Sequence, residues 1–232
     1  MIVANKNKPQ EENFEIKIND VKLKQCTSYK YLGVYIDEEL NWKSHVNYLC
    51  EKISKVCGIF AKLRHCVGFD ILKTVYHALV ASHLNYCNLI WGNANNYVLK
   101  PLITLQNRVL KIMTFAPFAT SNVKQIYDDL ELLNLNQMHN LAKAKFAYKH
   151  KNDMLPSNFD NYLHSTESIH TRNLRSTSSG NYRQVWGKLS HGFEMIQYDG
   201  AKLWNSIPVN IRNVENLKNF SEIYKIHLLN EN

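Results

Sequence analysis

Residues 44–63, SHVNYLCEKISKVCGIFAKL, carry the clearest helical pattern in the chain. Their apolar side chains recur mostly three or four residues apart, which places them in one stripe along a helix that we predict to begin near Ser44. Lys52, Lys55 and Lys62 lie off this stripe and are expected to face solvent or a partner. The members of the apolar stripe are Val46, Leu49, Cys50, Ile53, Val56, Cys57, Phe60 and Leu63.

The segment before this helix has the period of extended chain. Apolar and charged residues alternate from Phe14 to Ile18, and Asn19-Asp20 follows as a turn signal. Residues 29–36, YKYLGVYI, are rich in aromatic and β-branched residues, which favour strands. We therefore predict two or three short antiparallel strands within residues 14–36.

Helical periodicity dominates the remainder of the chain. Residues 165–181 are polar and lack a period, which indicates a loop or linker, and residues 182–204 suggest short strands. The fold class predicted is mainly α with a small N-terminal antiparallel β-hairpin (α+β), a helical bundle and a small mixed C-terminal region. The further helices are predicted over about 70–90, from Pro101 onward, over 122–132, over 136–150, and around Phe220, Ile223, Tyr224 and Leu228.

The charge balance is basic and dispersed. The 232 residues contain 28 Lys and Arg against 20 Asp and Glu, a net charge of +8. Such a balance is typical of a polyanion-binding protein, and equally of an ordinary, mildly basic soluble protein. No apolar run is long enough to span a membrane and the N-terminus lacks the order of a secretory signal. With five cysteines and no C-x-x-C pair, we expect an intracellular protein, in the cytoplasm or nucleus, with free thiols.

Signals for catalysis and for metal binding are weak. The chain contains none of the common phosphate-binding, nucleophile or zinc-protease motifs. Tyr127-Asp128-Asp129 has the residue types of a polymerase carboxylate pair, but its context is helical and no apolar strand precedes it. His83 and Cys87 lie four residues apart without the second pair that zinc requires. We therefore predict no catalytic and no metal-binding residues.

Several segments resemble the polymerases of jockey-like non-LTR retrotransposons, in the same order along the chain. The resemblance covers nearly the whole chain and is specific in combination. It lies in KYLGVYID (30–37), LNWKSHV (40–46), LNYCNLIWG (84–92), LQNRVLKI (105–112), HTR (170–172), GAKLWNSIP (200–208) and the helix over 220–229.

This resemblance implies a fragment of a reverse transcriptase. Residues 1–40 would be a partial palm with the primer-grip hairpin, 41–155 a thumb-like helical domain, 156–181 a polar linker, and 182–232 a small C-terminal region. The family's catalytic carboxylates, which bind magnesium, lie upstream of the segment that matches here. The resemblance therefore implies no cofactor in this chain and no polymerase activity from it alone.

The implied partner is an RNA/DNA template–primer. The resemblance puts the primer-grip motif at Tyr31, Leu32 and Gly33, where a glycine lets a sugar-phosphate backbone approach closely; ordinary strand packing is the alternative for the tyrosines. Solvated side chains are the alternative for every basic candidate. Chosen by charge and helical position, the phosphate-contact candidates are Lys52, Lys55, Lys62, Arg64, Arg108 and Lys111.

Three functions remain open at this point. The chain could be a remnant that keeps nucleic-acid binding, a non-catalytic helical module that binds protein or nothing, or part of an active enzyme whose palm is supplied by a longer copy. Binding to a template–primer should depend steeply on salt in the first case and be absent in the second. The oligomeric state is left open.

Overall fold

Helices make up most of the computed structural model, which describes residues 16–118, 122–166, 180–184 and 196–230. The predicted class, mainly α with a small β-hairpin region, is confirmed. The strands are β1 (Lys17–Ile18), β2 (Val21–Lys22), β3 (Ser28–Tyr31) and β4 (Val34–Asp37). The helices are α1 (Lys43–Leu63), α2 (Phe69–Tyr76), α3 (Ser82–Asn85), α4 (Asn88–Trp91), α5 (Asn96–Met113), α6 (Val123–Leu130), α7 (Leu135–Lys151), α8 (Ala201–Ser206), α9 (Val209–Arg212) and α10 (Leu217–Asn230).

The strands form two antiparallel hairpins, so the described part holds four short strands where two or three were predicted. Both hairpins turn through two residues of positive φ, the geometry that matches the twist of paired strands. Asn19 and Asp20 have φ of 47° and 62° in the first turn, and Leu32 and Gly33 have 45° and 87° in the second. The turn predicted at Asn19-Asp20 is confirmed.

The N-terminal unit, residues 1–126, is organised around α1. The helix begins at Lys43, one residue before the predicted start, and α5 is its main packing partner. Its apolar stripe is buried at most positions, with Ile53 and Phe60 fully inaccessible. Burial of this stripe is the main source of stability here, because removal of apolar surface from water contributes about 25 cal/mol per Å².

The helix predicted over 70–90 is interrupted. α2 continues through a π-helical turn, His77–Ala81, into α3. The chain then leaves the helix at Tyr86, with ψ of 118°, and Cys87 adopts a left-handed φ of 50° before α4 begins. Apolar periodicity runs through this break because the residues on both sides remain in the core, so the pattern could not reveal it.

Pro101 is the second difference from prediction, because α5 begins five residues earlier, at Asn96. The Asn95 side chain caps the helix by accepting a hydrogen bond from the Tyr97 amide. Proline deprives the Tyr97 carbonyl of its usual donor four residues on. Tyr97 and Pro101 are both exposed, so water can satisfy that carbonyl.

The C-terminal unit, residues 127–232, is built on α7, which packs with α8 and α10. Stacked rings form its centre: Tyr148 and Phe220 lie 4.5 Å apart, and Phe220 and Tyr224 lie 5.9 Å apart between centroids. The capping box at Asn134 and Gln137 begins α7.

The strands predicted over 182–204 are wrong where the structure describes that region. Tyr182 makes a single antiparallel bridge with Ser165, but residues 196–206 are helical. Ala201 and Trp204 are buried three residues apart, the spacing of one helical face, and short apolar segments do not distinguish this from strand alternation. The prediction for residues 185–195 lies outside the described residues, as does HTR at 170–172.

Candidate nucleic-acid interface

A line of five residues follows the outer face of α1, away from α5. Their spacing alternates between four and three residues, which keeps them on one side of the helix. We call this set the basic stripe; it consists of Tyr48, Lys52, Lys55, Ile59 and Lys62. The three lysines are exposed, and the side-chain ammonium groups of Lys55 and Lys62 have no ion pair or hydrogen bond to any residue that the structure describes. The structure thus brings three of the sequence-predicted site residues together.

The second hairpin extends this stripe at its N-terminal end. The Tyr35 and Tyr48 rings are 5.1 Å apart, and the Lys30 Nζ lies 5.0 Å from the Tyr48 centroid and 5.5 Å from that of Tyr35. The Lys52 Nζ lies 5.5 Å from Tyr48 on α1 itself. Cation–π attraction therefore holds two ammonium groups around one ring. Sequence reasoning missed Lys30 and Tyr48, although the spacing of Tyr48 and Lys52 was visible.

The hairpin tip, which comprises Tyr31, Leu32 and Gly33, projects from the helices. Tyr31 is 59% exposed and Leu32 is 73% exposed, so both side chains are accessible to a partner. The Tyr86 hydroxyl donates a 2.6 Å hydrogen bond to the Leu32 carbonyl. A Cβ at Gly33 would lie 3.2 Å from the Tyr86 ring. The tip is thus held by a tyrosine 54 residues away.

Two predicted basic residues are instead engaged with the segment around the end of α5. The Arg64 guanidinium lies 4.5 Å from the Phe115 ring and donates to the Ile112 carbonyl at 3.4 Å. The Lys111 ammonium donates to the Phe118 carbonyl at 2.7 Å. These contacts compete with any phosphate for the same donors.

The third, Arg108, is exposed on α5 and lies close to Cys57. Burial raises the pKa of the Cys57 thiol, and the Arg108 guanidinium opposes that rise. Arg108 therefore lies on the side of α1 that carries the buried Cys57, and not on the basic stripe.

His45 connects the hairpin to the helical core. Its Nδ1 accepts a 3.4 Å hydrogen bond from the Tyr35 amide, and its ring meets Trp91 edge-on at 5.4 Å. Burial lowers the pKa of His45 to about 4. A neutral ring is required here, because a protonated Nδ1 could not accept from the strand.

Three cationic residues of the C-terminal unit, Lys143, Lys151 and Arg212, have side-chain partners. Lys143 forms a short ion pair with Asp199, and Lys151 donates to Asn213 at 2.8 Å. Arg212 donates to Asn181 at 2.8 Å and lies 5.8 Å from the Trp204 ring. With Arg212 and Lys143 buried, these charges serve the fold of that unit.

Side chains that could bind a metal ion do not cluster among the residues that the structure describes. No group of three or more His, Cys, Asp or Glu side chains there is arranged to hold a metal ion. Tyr127-Asp128-Asp129 lies on α6, as the helical context predicted. Within those same ranges, no helix combines the length and apolar character that a membrane crossing needs.

Three curated proteins are similar to the chain. A probable RNA-directed DNA polymerase from transposon X-element of Drosophila melanogaster is 25% identical over 135 residues, 56% of this chain. The RNA-directed DNA polymerase from mobile element jockey of Drosophila funebris is 29% identical over 107 residues, 44% of the chain. The Pol polyprotein from type-1 retrotransposable element R1 4 of Nasonia vitripennis is 26% identical over 112 residues, 47% of the chain. These three relatives of the chain are polymerases of non-LTR retrotransposons.

The matches to these polymerases are partial on both sides. They cover 15%, 12% and 29% of the lengths of the three relatives. No protein-family model matches the chain, and neither does any solved structure. The predicted resemblance to jockey-like retrotransposon polymerases is confirmed at this level.

Proposed function

We propose that the chain is part of a non-LTR retrotransposon RNA-directed DNA polymerase and that it binds a template–primer duplex of RNA and DNA. The basic stripe, continued onto the hairpin by Lys30, is the observation that carries this proposal. The relatives support it because each of them is named as a polymerase or Pol polyprotein of a mobile element. Residues 41–155 would act as a thumb and Tyr31, Leu32 and Gly33 as a primer grip.

The dimensions of the stripe suit a nucleic-acid backbone. Lys52 and Lys62 are ten residues apart, which is about 15 Å along a helix. That span reaches two or three successive phosphates of one strand. Exposed lysines can neutralise those phosphates and release counterions, the main source of sequence-independent affinity. Tyr48 and Ile59 add apolar contact area between the ammonium groups.

The proposed role is to hold the duplex, and nucleotide addition falls to other residues of the polymerase. Two-metal catalysis needs carboxylates that hold magnesium. We assign none of that set to this chain, so a palm elsewhere in the polymerase, or on a longer copy, would supply it. Binding by the stripe and hairpin needs no magnesium.

The test is binding of the purified chain to a labelled RNA–DNA hybrid across a salt series. We expect log affinity to fall linearly with log salt concentration. In the variant K52A/K55A/K62A, the slope of log affinity against log salt concentration should become shallower by about two to three. The affinity at low salt should fall about thirtyfold. Circular dichroism should show the variant folded, because all three lysines are exposed.

A matched variant separates the stripe from net charge. K100A/K202A/K218A removes three exposed lysines outside the stripe and lowers the net charge by the same amount. We expect it to retain most of the slope and affinity. Equal loss in both variants would mean that charge alone attracts the hybrid. A folded wild-type chain without hybrid binding at low salt would favour the protein-interaction module instead.

A further inference from the structure

Three sequence segments meet in a closed series of contacts within the N-terminal unit. The Leu32 carbonyl accepts from the Tyr86 hydroxyl at 2.6 Å, and the Tyr86 carbonyl accepts from the Trp91 indole at 2.8 Å. Trp91 meets the His45 ring at 5.4 Å, and His45 accepts from the Tyr35 amide. Since Leu32 and Tyr35 belong to one hairpin, the series attaches that hairpin to the helices at two points.

The backbone around Tyr86 aims its side chain at the hairpin. Its extended ψ ends α3, and the left-handed Cys87 turns the chain into α4. The buried Asn88 side chain donates to the Leu84 carbonyl at 2.8 Å across this break. Trp91 is fully buried and fixes the Tyr86 carbonyl. The interruption of the helix therefore fixes the direction in which the Tyr86 phenol points.

The hairpin tip has a backbone conformation that a contact from outside the hairpin can stabilise. Leu32 has a φ of 45°, a backbone conformation that costs steric energy for a residue with a Cβ. The neighbouring Gly33 adopts its φ of 87° without that cost. The missing Cβ of Gly33 leaves room for the Tyr86 ring. Tyr86 thus satisfies the Leu32 carbonyl and covers the glycine at the same time.

We propose that Tyr86 is a positioning residue that fixes the hairpin tip so that Tyr31 and Leu32 can contact the nucleic-acid duplex beside the basic stripe. This inference rests on the proposed function. Tyr86 itself acts through the Leu32 carbonyl. Its hydroxyl is the group that matters, since the ring alone could still cover Gly33.

The experiment compares Y86F with Y97F in the full chain, using the labelled RNA–DNA hybrid. Tyr97 is 66% exposed and serves as the matched loss of a hydroxyl. We expect Y86F to weaken hybrid binding about threefold to tenfold, the worth of one hydrogen bond, with an unchanged salt slope. Y97F should bind as the wild type does.

A coupling measurement distinguishes positioning from general structural support. The double variant Y31A/L32A removes the tip side chains that Tyr86 is proposed to orient. In that background Y86F should have no further effect on affinity, because nothing remains to be positioned. In the K52A/K55A/K62A background it should keep its full effect. An equal effect of Y86F in both backgrounds would overturn the proposal.

Hydrogen exchange in the absence of nucleic acid tests whether the hydrogen bond from Tyr86 stabilises the hairpin. Y86F should speed exchange of the β3 and β4 amides while those of α1 and α5 remain protected. Unchanged exchange in the hairpin would overturn the proposal even if the hybrid binds. If the wild-type chain fails to bind the hybrid, the proposed function fails and the proposed positioning for binding fails with it. Faster hairpin exchange in Y86F would then identify Tyr86 as a purely structural support.

Discussion

Two basic side chains of the N-terminal unit differ from two of the C-terminal unit in what surrounds them. On α1, Lys55 and Lys62 point to solvent and have no partner among the residues that the structure describes. In the C-terminal unit, Lys143 pairs with Asp199, and Arg212 lies between Asn181 and the Trp204 ring. Each of these groups carries one formal positive charge.

This difference shows why net charge is a poor guide to a binding surface. A cation with a carboxylate partner contributes little potential beyond that pair, whereas an exposed ammonium without one attracts polyanions over about a Debye length. The +8 of the whole chain counts both kinds equally. The composition therefore overstates the charge that is available to a polyanion, and the surface that we propose for binding is the basic stripe on α1.

A large effect on stability should come from breaking an ion pair of a buried cation. Lys143→Ala leaves the Asp199 carboxylate unpaired, and we expect the free energy of unfolding to fall by about 2 kcal/mol. That is less than for a fully buried pair, because Asp199 remains about a third exposed. Hybrid affinity should stay within about twofold of wild type. The exposed Lys202→Ala is the control, and thermal unfolding is the measurement.

Acid should affect the N-terminal unit through His45. An unfolded histidine titrates near pH 6.5, whereas burial lowers the pKa of His45 to about 4. Between these values the unfolded chain binds a proton that the folded chain does not, so stability is lost as pH falls from about 6.5 to 4. The expected loss is about 3 kcal/mol, because a difference of one pKa unit is worth about 1.4 kcal/mol.

The matched variant for this prediction is His45→Asn, which lacks the titrating ring. Denaturant unfolding at several pH values should show the wild type losing about 3 kcal/mol more than the variant over that range. Parallel pH profiles for the two proteins would mean that the ring is not buried as described, and the hairpin attachment would need another explanation.

The smallest effects should distinguish cations within the N-terminal unit. Lys55→Ala should lower the salt slope of hybrid binding by about one and the affinity about threefold. Arg64→Ala should leave the slope unchanged and cost about 1 kcal/mol of stability, because its guanidinium stacks on Phe115. A lower slope for Arg64→Ala would place the binding surface elsewhere on the unit.

Several elements could be predicted because their cause is local. The α1 helix was predicted to within one residue, since its apolar spacing runs for five turns. The turn at Asn19-Asp20 followed from residue types that tolerate positive φ. The break at Tyr86-Cys87 could not be predicted, since contacts to Leu32 and Trp91 stabilise it.

The candidate site shows the same division. Lys52, Lys55 and Lys62 were identified from spacing and are exposed. Arg64 and Lys111 have the same charge and similar periodicity, but carbonyl groups and a ring near the end of α5 engage them. Lys30 was not identified because its contact with Tyr48 joins a strand to a helix.

Periodicity and residue types, read along the chain, determined α1, the turn at Asn19-Asp20 and the basic balance, and the quoted sequence segments carried the resemblance to retrotransposon polymerases. Only the tertiary structure decided which cationic side chains have protein partners and which contacts attach the hairpin to the helices. The reason is physical: helix formation depends on neighbours three or four residues away. The bond from Tyr86 to Leu32 joins residues 54 positions apart, and only the folded chain brings them together.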